Sequence, residues 1–215
     1  MDHSGHLKDK FTASTFAEKT EDDVEFPCPA GGASLTSGEA AFVKSIFGDE
    51  VDTARIKKYY SPKEKPGTEK GFVIPAETFG DDSIKFYGPN YYEADYSKAR
   101  NIFDFGTFIH EMTHIWQNQN KIACKLLPEN TDIYNYTLKP LSTFDDFGWE
   151  QQAKIIENYS RLYLYPNPTE VADPLLQKVV EAKFPQAAKA RLKLQMKKNS
   201  PSANTNASPK HNGPQ

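Results

Sequence analysis

The sequence predicts an α+β fold in which a small, mostly antiparallel sheet is followed by a helical part, and two observations carry that prediction. Between residues 51 and 94, short runs rich in β-branched and aromatic residues are bounded by Pro, Gly or Asp, the pattern of brief strands joined by loops. From Asp104 onward apolar residues recur every three or four positions instead, which is the period of a helix with one buried face. Strands therefore come first and helices after, the order of an α+β domain.

The first element is a short helix. Thr36 or Ser37 can cap it, Ala40, Phe42, Val43, Ile46 and Phe47 give it an apolar face, and Gly48 stops it. Three strands are expected next, at Thr53 to Ile56, Gly71 to Pro75 and Ser83 to Gly88, with a polar loop from Pro62 to Thr68. A long helix then carries Phe105, Phe108, Ile109, Met112 and Trp116, with Asp104 placed to cap its start. A second helix is expected from Asp145 or Asp146 through Trp149, Ala153, Ile156 and Tyr163, ending before Pro166. Further helices should start after Asp173-Pro174 and after Pro185.

Composition sets the domain count and removes some function classes. A chain of 215 residues is long enough for one substantial core but short for two, so a single domain is expected over 23–198. Residues 1–22 and 199–215 lack apolar periodicity and read as disordered ends. A net charge of −3, with no basic stripe interleaved with aromatics, speaks against nucleic acid. No stretch approaches the roughly 18 to 20 apolar residues of a membrane span, and the opening residues are polar rather than signal-like. Cys28 and Cys124 stand far apart in no paired-ligand spacing, as two buried thiols or one disulfide.

The chemistry is concentrated in His110-Glu111-Met112-Thr113-His114. Residues four apart on a helix share a face, so both imidazoles can point at one ion, and a zinc site is the expectation. Glu111 beside them suits proton transfer rather than ligation, as the general base of a zinc-dependent hydrolase. Of the five histidines, His3, His6 and His211 lie in the expected tails, leaving two for a folded site. A third histidine six positions after the second is excluded, because position 120 is Asn120. The third ligand is then a carboxylate or Cys124, with Glu150 the first candidate and Glu157, two turns later, the alternative. A donor for the developing oxyanion is also needed, and Tyr134, Tyr136, Tyr159 and Arg161 are the candidates.

The string from Phe108 to Gln117, followed by Glu150-Gln151-Gln152-Ala153-Lys154-Ile155-Ile156, resembles the zinc metallopeptidase domains that accompany VgrG spike and Rhs-type proteins of bacterial type VI secretion. Trp116-Gln117 is its most specific mark; Arg55-Ile56 and Asp95-Tyr96-Ser97 fit more loosely, and the resemblance spans roughly residues 36 to 165. It implies a zincin-type active-site helix of the gluzincin kind, with His110, His114 and Glu150 as zinc ligands and Glu111 as general base. It also implies an antibacterial toxin made in the bacterial cytoplasm without a signal peptide. A VgrG or Rhs-type carrier would deliver it into a target cell, with the periplasm as the expected compartment, and an immunity protein would restrain it in the producer. The last 50 or so residues lie outside that resemblance. Two other readings keep the zinc but change its use: a non-catalytic adaptor or cargo module, with Cys124 closing the site, and a hydrolase of cell-wall peptides rather than proteins.

Overall fold

The computed structural model describes residues 31–67, 73–123, 125, 127, 132–165 and 172–199. The expected disordered end at 1–22 and both cysteines lie outside those residues, as does the expected tail beyond Asn199.

Strand β1 (Ala33–Ser34) leads into helix α1 (Ser37–Phe47). Thr36 caps α1 by accepting the Glu39 backbone N–H, while the Glu39 carboxylate accepts the Thr36 N–H in return. Gly48, at φ 64°, ends it in a conformation that side chains disfavour. Strands β2 (Lys57–Ser61), β3 (Lys65–Pro66), β4 (Val73–Ile74), β5 (Ala76–Phe79) and β6 (Ser83–Tyr87) follow. Helix α2 (Ile102–Gln119) and helix α3 (Trp149–Tyr163) come next, and α4 (Pro174–Lys183) and α5 (Pro185–Asn199) complete an α+β order.

Several details differ from the sequence reading, among them the segment expected as a polar loop from Pro62 to Thr68, which carries β3 paired with β4. The main sheet, in the order β1-β2-β6-β5, is antiparallel at β1-β2 and β6-β5, as expected of a mostly antiparallel sheet, but mixed because β2 and β6 run parallel, from Lys57 opposite Ser83 to Ser61 opposite Tyr87. The hairpin β5-β6 is antiparallel, as consecutive strands joined by a tight turn tend to be, but the intervening chain carries β6 back beside β2 in the same direction. The strand expected at Thr53 to Ile56 is instead a turn, in which Asp52 Oδ1 accepts the Ala54 N–H, and the strand starts at Lys57. Its Lys-Lys-Tyr-Tyr-Ser sequence hides it, because Lys58 is the buried residue: its ammonium donates to Glu39 Oε1 at 2.5 Å, with both side chains inaccessible.

The cap of α2 is Asn101, not Asp104. Its Oδ1 accepts the N–H groups of Phe103 and Asp104, and its Nδ2 donates to the Asp104 carboxylate in the first turn. Asp145 and Asp146 likewise precede α3, in a separate 3₁₀ turn (Phe144–Asp146), and the helix opens after Gly148.

The core joins sheet and helices. Phe86, Tyr96 and Phe108 stack in series at 4.8 Å between centroids, linking β6 to α2. Trp116 sits among Phe47, Phe144 and Phe184, tying the far end of α2 to α1 and to the junction of α4 and α5. Helices α2 and α3 pack closely where Gly106 faces α3, since a Cβ there would meet Arg161 Cδ at 2.9 Å and Glu157 Cγ at 3.1 Å. No described helix is long and apolar enough to cross a membrane.

Candidate metal centre

Helix α2 places His110 and His114 on one face, and α3 places Glu150 in its own first turn opposite them. His110 Nε2 lies 3.2 Å from His114 Nε2, and Glu150 Oε2 lies 3.2 Å from the first and 3.3 Å from the second. Zinc bonded at about 2.0–2.1 Å in tetrahedral geometry holds neighbouring donors about 3.3–3.4 Å apart, so this nearly equilateral triangle has the size of one face of that tetrahedron.

The other ring nitrogens explain why these three atoms face one another. His110 Nδ1 meets Glu157 Oε2 at 3.2 Å, and His114 Nδ1 meets Gln117 Oε1 at 2.8 Å. Both partners are acceptors, so each Nδ1 carries a hydrogen, and in the neutral, metal-binding form each Nε2 turns a bare lone pair inward. Two lone pairs and a carboxylate oxygen converging within 3.3 Å repel one another unless a cation or protons lie between them. The donor set, two imidazoles and one carboxylate, is one that suits zinc.

The electrostatics agree. Burial pushes the His110 imidazolium down, but the carboxylates of Glu150 and Glu157 outweigh it and lift the group to about 10. Burial likewise pushes Glu150 up, yet with no metal between them protonated His110 and His114 imidazoles hold it well below the carboxylate range. Glu157 is held at about 2 against its burial, by His110 and Lys154. The site thus favours positive charge at its centre.

Glu111 is buried on the same turn of α2, and burial raises its carboxyl above the usual range, partly offset by the two histidines and Thr78. Thr78 of β5 donates its hydroxyl to Glu111 Oε2 at 2.8 Å. Of the four candidate oxyanion donors, Tyr134 stands beside the triangle, its ring centroid 6.2 Å from that of His110. Its phenol is pushed up to about 12 by burial and by Glu150 and Glu111, so it stays protonated and able to donate at neutral pH. The other three are engaged elsewhere. Tyr136 accepts from Asn158, Tyr159 donates to Glu181 at 2.9 Å, and Arg161 lies against Glu157 and the Phe103 ring. The Tyr134 loop is fastened to α3 where Gln151 Nε2 donates to the Asn135 carbonyl.

The structure therefore brings His110, His114 and Glu150 together, and sets Glu157 behind His110 rather than within the triangle. Cys124 lies outside the described residues. Sequence reasoning missed Thr78, which no local pattern connects to a residue 33 positions on. It also missed the partner of each Nδ1, although Gln117 was already visible as a distinctive residue one turn after His114.

No family model matches the chain. The chain is similar to the type VI secretion system spike protein VgrG2b of Pseudomonas aeruginosa, 30% identical over 144 residues, a match covering 62% of this chain and 13% of that protein. The chain thus spans about an eighth of the length of the relative it matches, at 13%. Among solved structures, the effector domain of Pseudomonas aeruginosa VgrG2b aligns over 76% of this chain and 88% of its own, with a TM-score of 0.46 and 22% identity.

Proposed function

We propose that this chain is a zinc-dependent metallopeptidase that acts as a type VI secretion effector. The observation that carries the chemical part is the triangle of His110 Nε2, His114 Nε2 and Glu150 Oε2, with Glu111 buried on the same helical turn as His110. A zinc ion on those three atoms would supply a Lewis acid and lower the pKa of a bound water to about 7.

The chain's own residues supply the rest. Glu111, raised by burial yet steadied by Thr78, takes a proton from the water molecule whose oxygen attacks the peptide carbonyl carbon, then delivers it to the amine nitrogen as the C–N bond breaks. The Tyr134 hydroxyl donates a hydrogen bond to the oxygen that gains negative charge. Strand β5 favours an extended peptide as substrate: it ends the sheet order, and among the described residues no strand pairs its outer side. A peptide added there would run past Thr78, and so past Glu111.

The effector role is supported by the similarity to a type VI spike protein together with the motif strings already described. It entails a VgrG or Rhs-type carrier, an immunity protein in the producer, and secretion into a target cell.

The test measures zinc content and casein hydrolysis for the full chain and its Glu111→Ala variant. Near-stoichiometric zinc in both, with hydrolysis in the parent alone, is the expected result. A zinc-loaded parent that cleaves neither casein nor the peptide cross-links of purified sacculi would overturn the enzymatic reading in favour of an adaptor.

A further inference from the structure

Behind His114 lies a chain of buried amides that catalysis does not itself require. Gln117 is inaccessible and Gln152 nearly so. Gln117 Oε1 faces His114 Nδ1 at 2.8 Å, while its Nε2 donates to the Trp149 carbonyl at 3.1 Å and to Gln152 Oε1 at 3.0 Å. Gln152 Nε2 donates in turn to the carbonyls of Phe144 at 3.4 Å and Phe147 at 3.1 Å.

The direction of this chain follows from its far end. Backbone carbonyls only accept, so the Gln152 nitrogen must face Phe144 and Phe147, which turns its oxygen toward Gln117. Gln117 must then present its nitrogen to Gln152 and Trp149, and its oxygen to His114. An amide oxygen also only accepts, so the His114 proton is confined to Nδ1 and Nε2 is left bare. Flipping either amide would set carbonyl against carbonyl in a buried place.

We infer that Gln152 and Gln117 form a polarity relay, anchored on the turn before α3, that fixes the tautomer of His114 and so prepares Nε2 as a metal donor. Both are positioning residues, and the assignment rests on reading the triangle as a zinc centre. The relay is neutral, unlike the Glu157 carboxylate behind His110, so it orients a ligand without adding charge to the site. It also gives a physical reason for Gln117 following Trp116 and for Gln152 in the opening turn of α3.

The test is zinc affinity by competition with a chromophoric chelator, alongside thermal melting, for the full chain and three variants. Gln117→Met, which keeps bulk but offers no acceptor, should bind zinc about 10- to 100-fold more weakly than the parent. Gln152→Met, one step removed, should lose affinity by a smaller factor. Gln117→Glu separates the relay from mere packing: its carboxylate still accepts from Nδ1, so zinc binding should stay within about threefold of the parent. Its melting temperature should nonetheless fall, because no donor remains for the Trp149 carbonyl and Gln152 Oε1. Affinity that follows melting temperature across all variants, or a Gln117→Met protein within about twofold of the parent, overturns the relay and leaves the zinc reading intact. A parent that takes up no zinc overturns both.

Discussion

Thr78 on β5 donates its hydroxyl to Glu111 Oε2 at 2.8 Å and also lies 3.1 Å from the Glu111 backbone carbonyl, so the sheet edge and the motif helix meet at the proposed general base. A hydroxyl has one proton, and the shorter contact assigns it to the carboxylate. That bond favours the ionised form of a carboxyl that burial otherwise protonates. Thr78→Val keeps the β-branched shape and removes the donor. The expected outcome is a kcat about tenfold lower, corresponding to one hydrogen bond of roughly 1.4 kcal/mol, with zinc content unchanged. Steady-state kinetics on a zinc-quantified sample checks it, and an unchanged kcat would show that Glu111 is held by other means.

Glu150 and Glu157 stand seven residues apart on one helical face, yet they meet different atoms of His110. Glu150 shares the Nε2 side with His114, whereas Glu157 takes Nδ1 and is itself held by Lys154 at 2.8 Å. Glu150→Ala should therefore abolish stoichiometric zinc binding. Glu157→Gln keeps an acceptor for Nδ1 and should weaken zinc by about tenfold only. Metal analysis after dialysis distinguishes the two, and a reversed ranking would exchange their roles.

How much of this was legible beforehand depends on whether the signal is local. The motif helix announces itself, because a period of three to four residues and two histidines four apart need only a single turn of helix to be understood. The cap of α1 at Thr36 is equally local, being completed by Glu39 within the same turn. Strand β2 was not legible, since Lys58 is buried only because Glu39, on another element, neutralises it. The parallel pairing of β2 with β6 depends in the same way on contacts between distant segments. At the site, α2 proclaims two histidines and a glutamate, but the choice between Glu150 and Glu157 turns on the approach of α3 to α2 at Gly106. No periodicity encodes that distance.

Tyr134 lies on a loop, about half exposed, with its ring beside His110. A donor that acts on the charge developing at the attacked oxygen contributes to kcat and little to ground-state binding. Tyr134→Phe removes only the hydroxyl. It should lower kcat by about 10²-fold, leave KM within a small factor, and leave zinc in place. A loss confined to KM would instead make Tyr134 a substrate-packing residue, and Tyr136→Phe, which perturbs only a hydrogen bond with Asn158, provides the matching control.

Away from the site, Glu181 on α4 joins three helices: it accepts from Tyr159 of α3 at 2.9 Å and from Arg191 of α5 at 2.5 and 3.1 Å. Burial pushes its carboxyl up, but the Arg191 guanidinium and the Tyr159 hydroxyl prevail and hold it below its ordinary value. A carboxyl whose folded pKa is depressed contributes stability that is complete above the unfolded value, about 4.3 for Glu. That contribution fades as pH falls from there through the folded pKa, because the unfolded chain takes up the proton first. Glu181→Gln should cost about 2 kcal/mol near neutral pH, the size of a hydrogen bond to a charged group. The difference between parent and variant should then shrink on acidification below about pH 4.3. Urea unfolding at pH 7, 5 and 3.5 measures it, and a difference that stays constant across that range would mean that the charge of Glu181 contributes nothing to holding α3, α4 and α5 together.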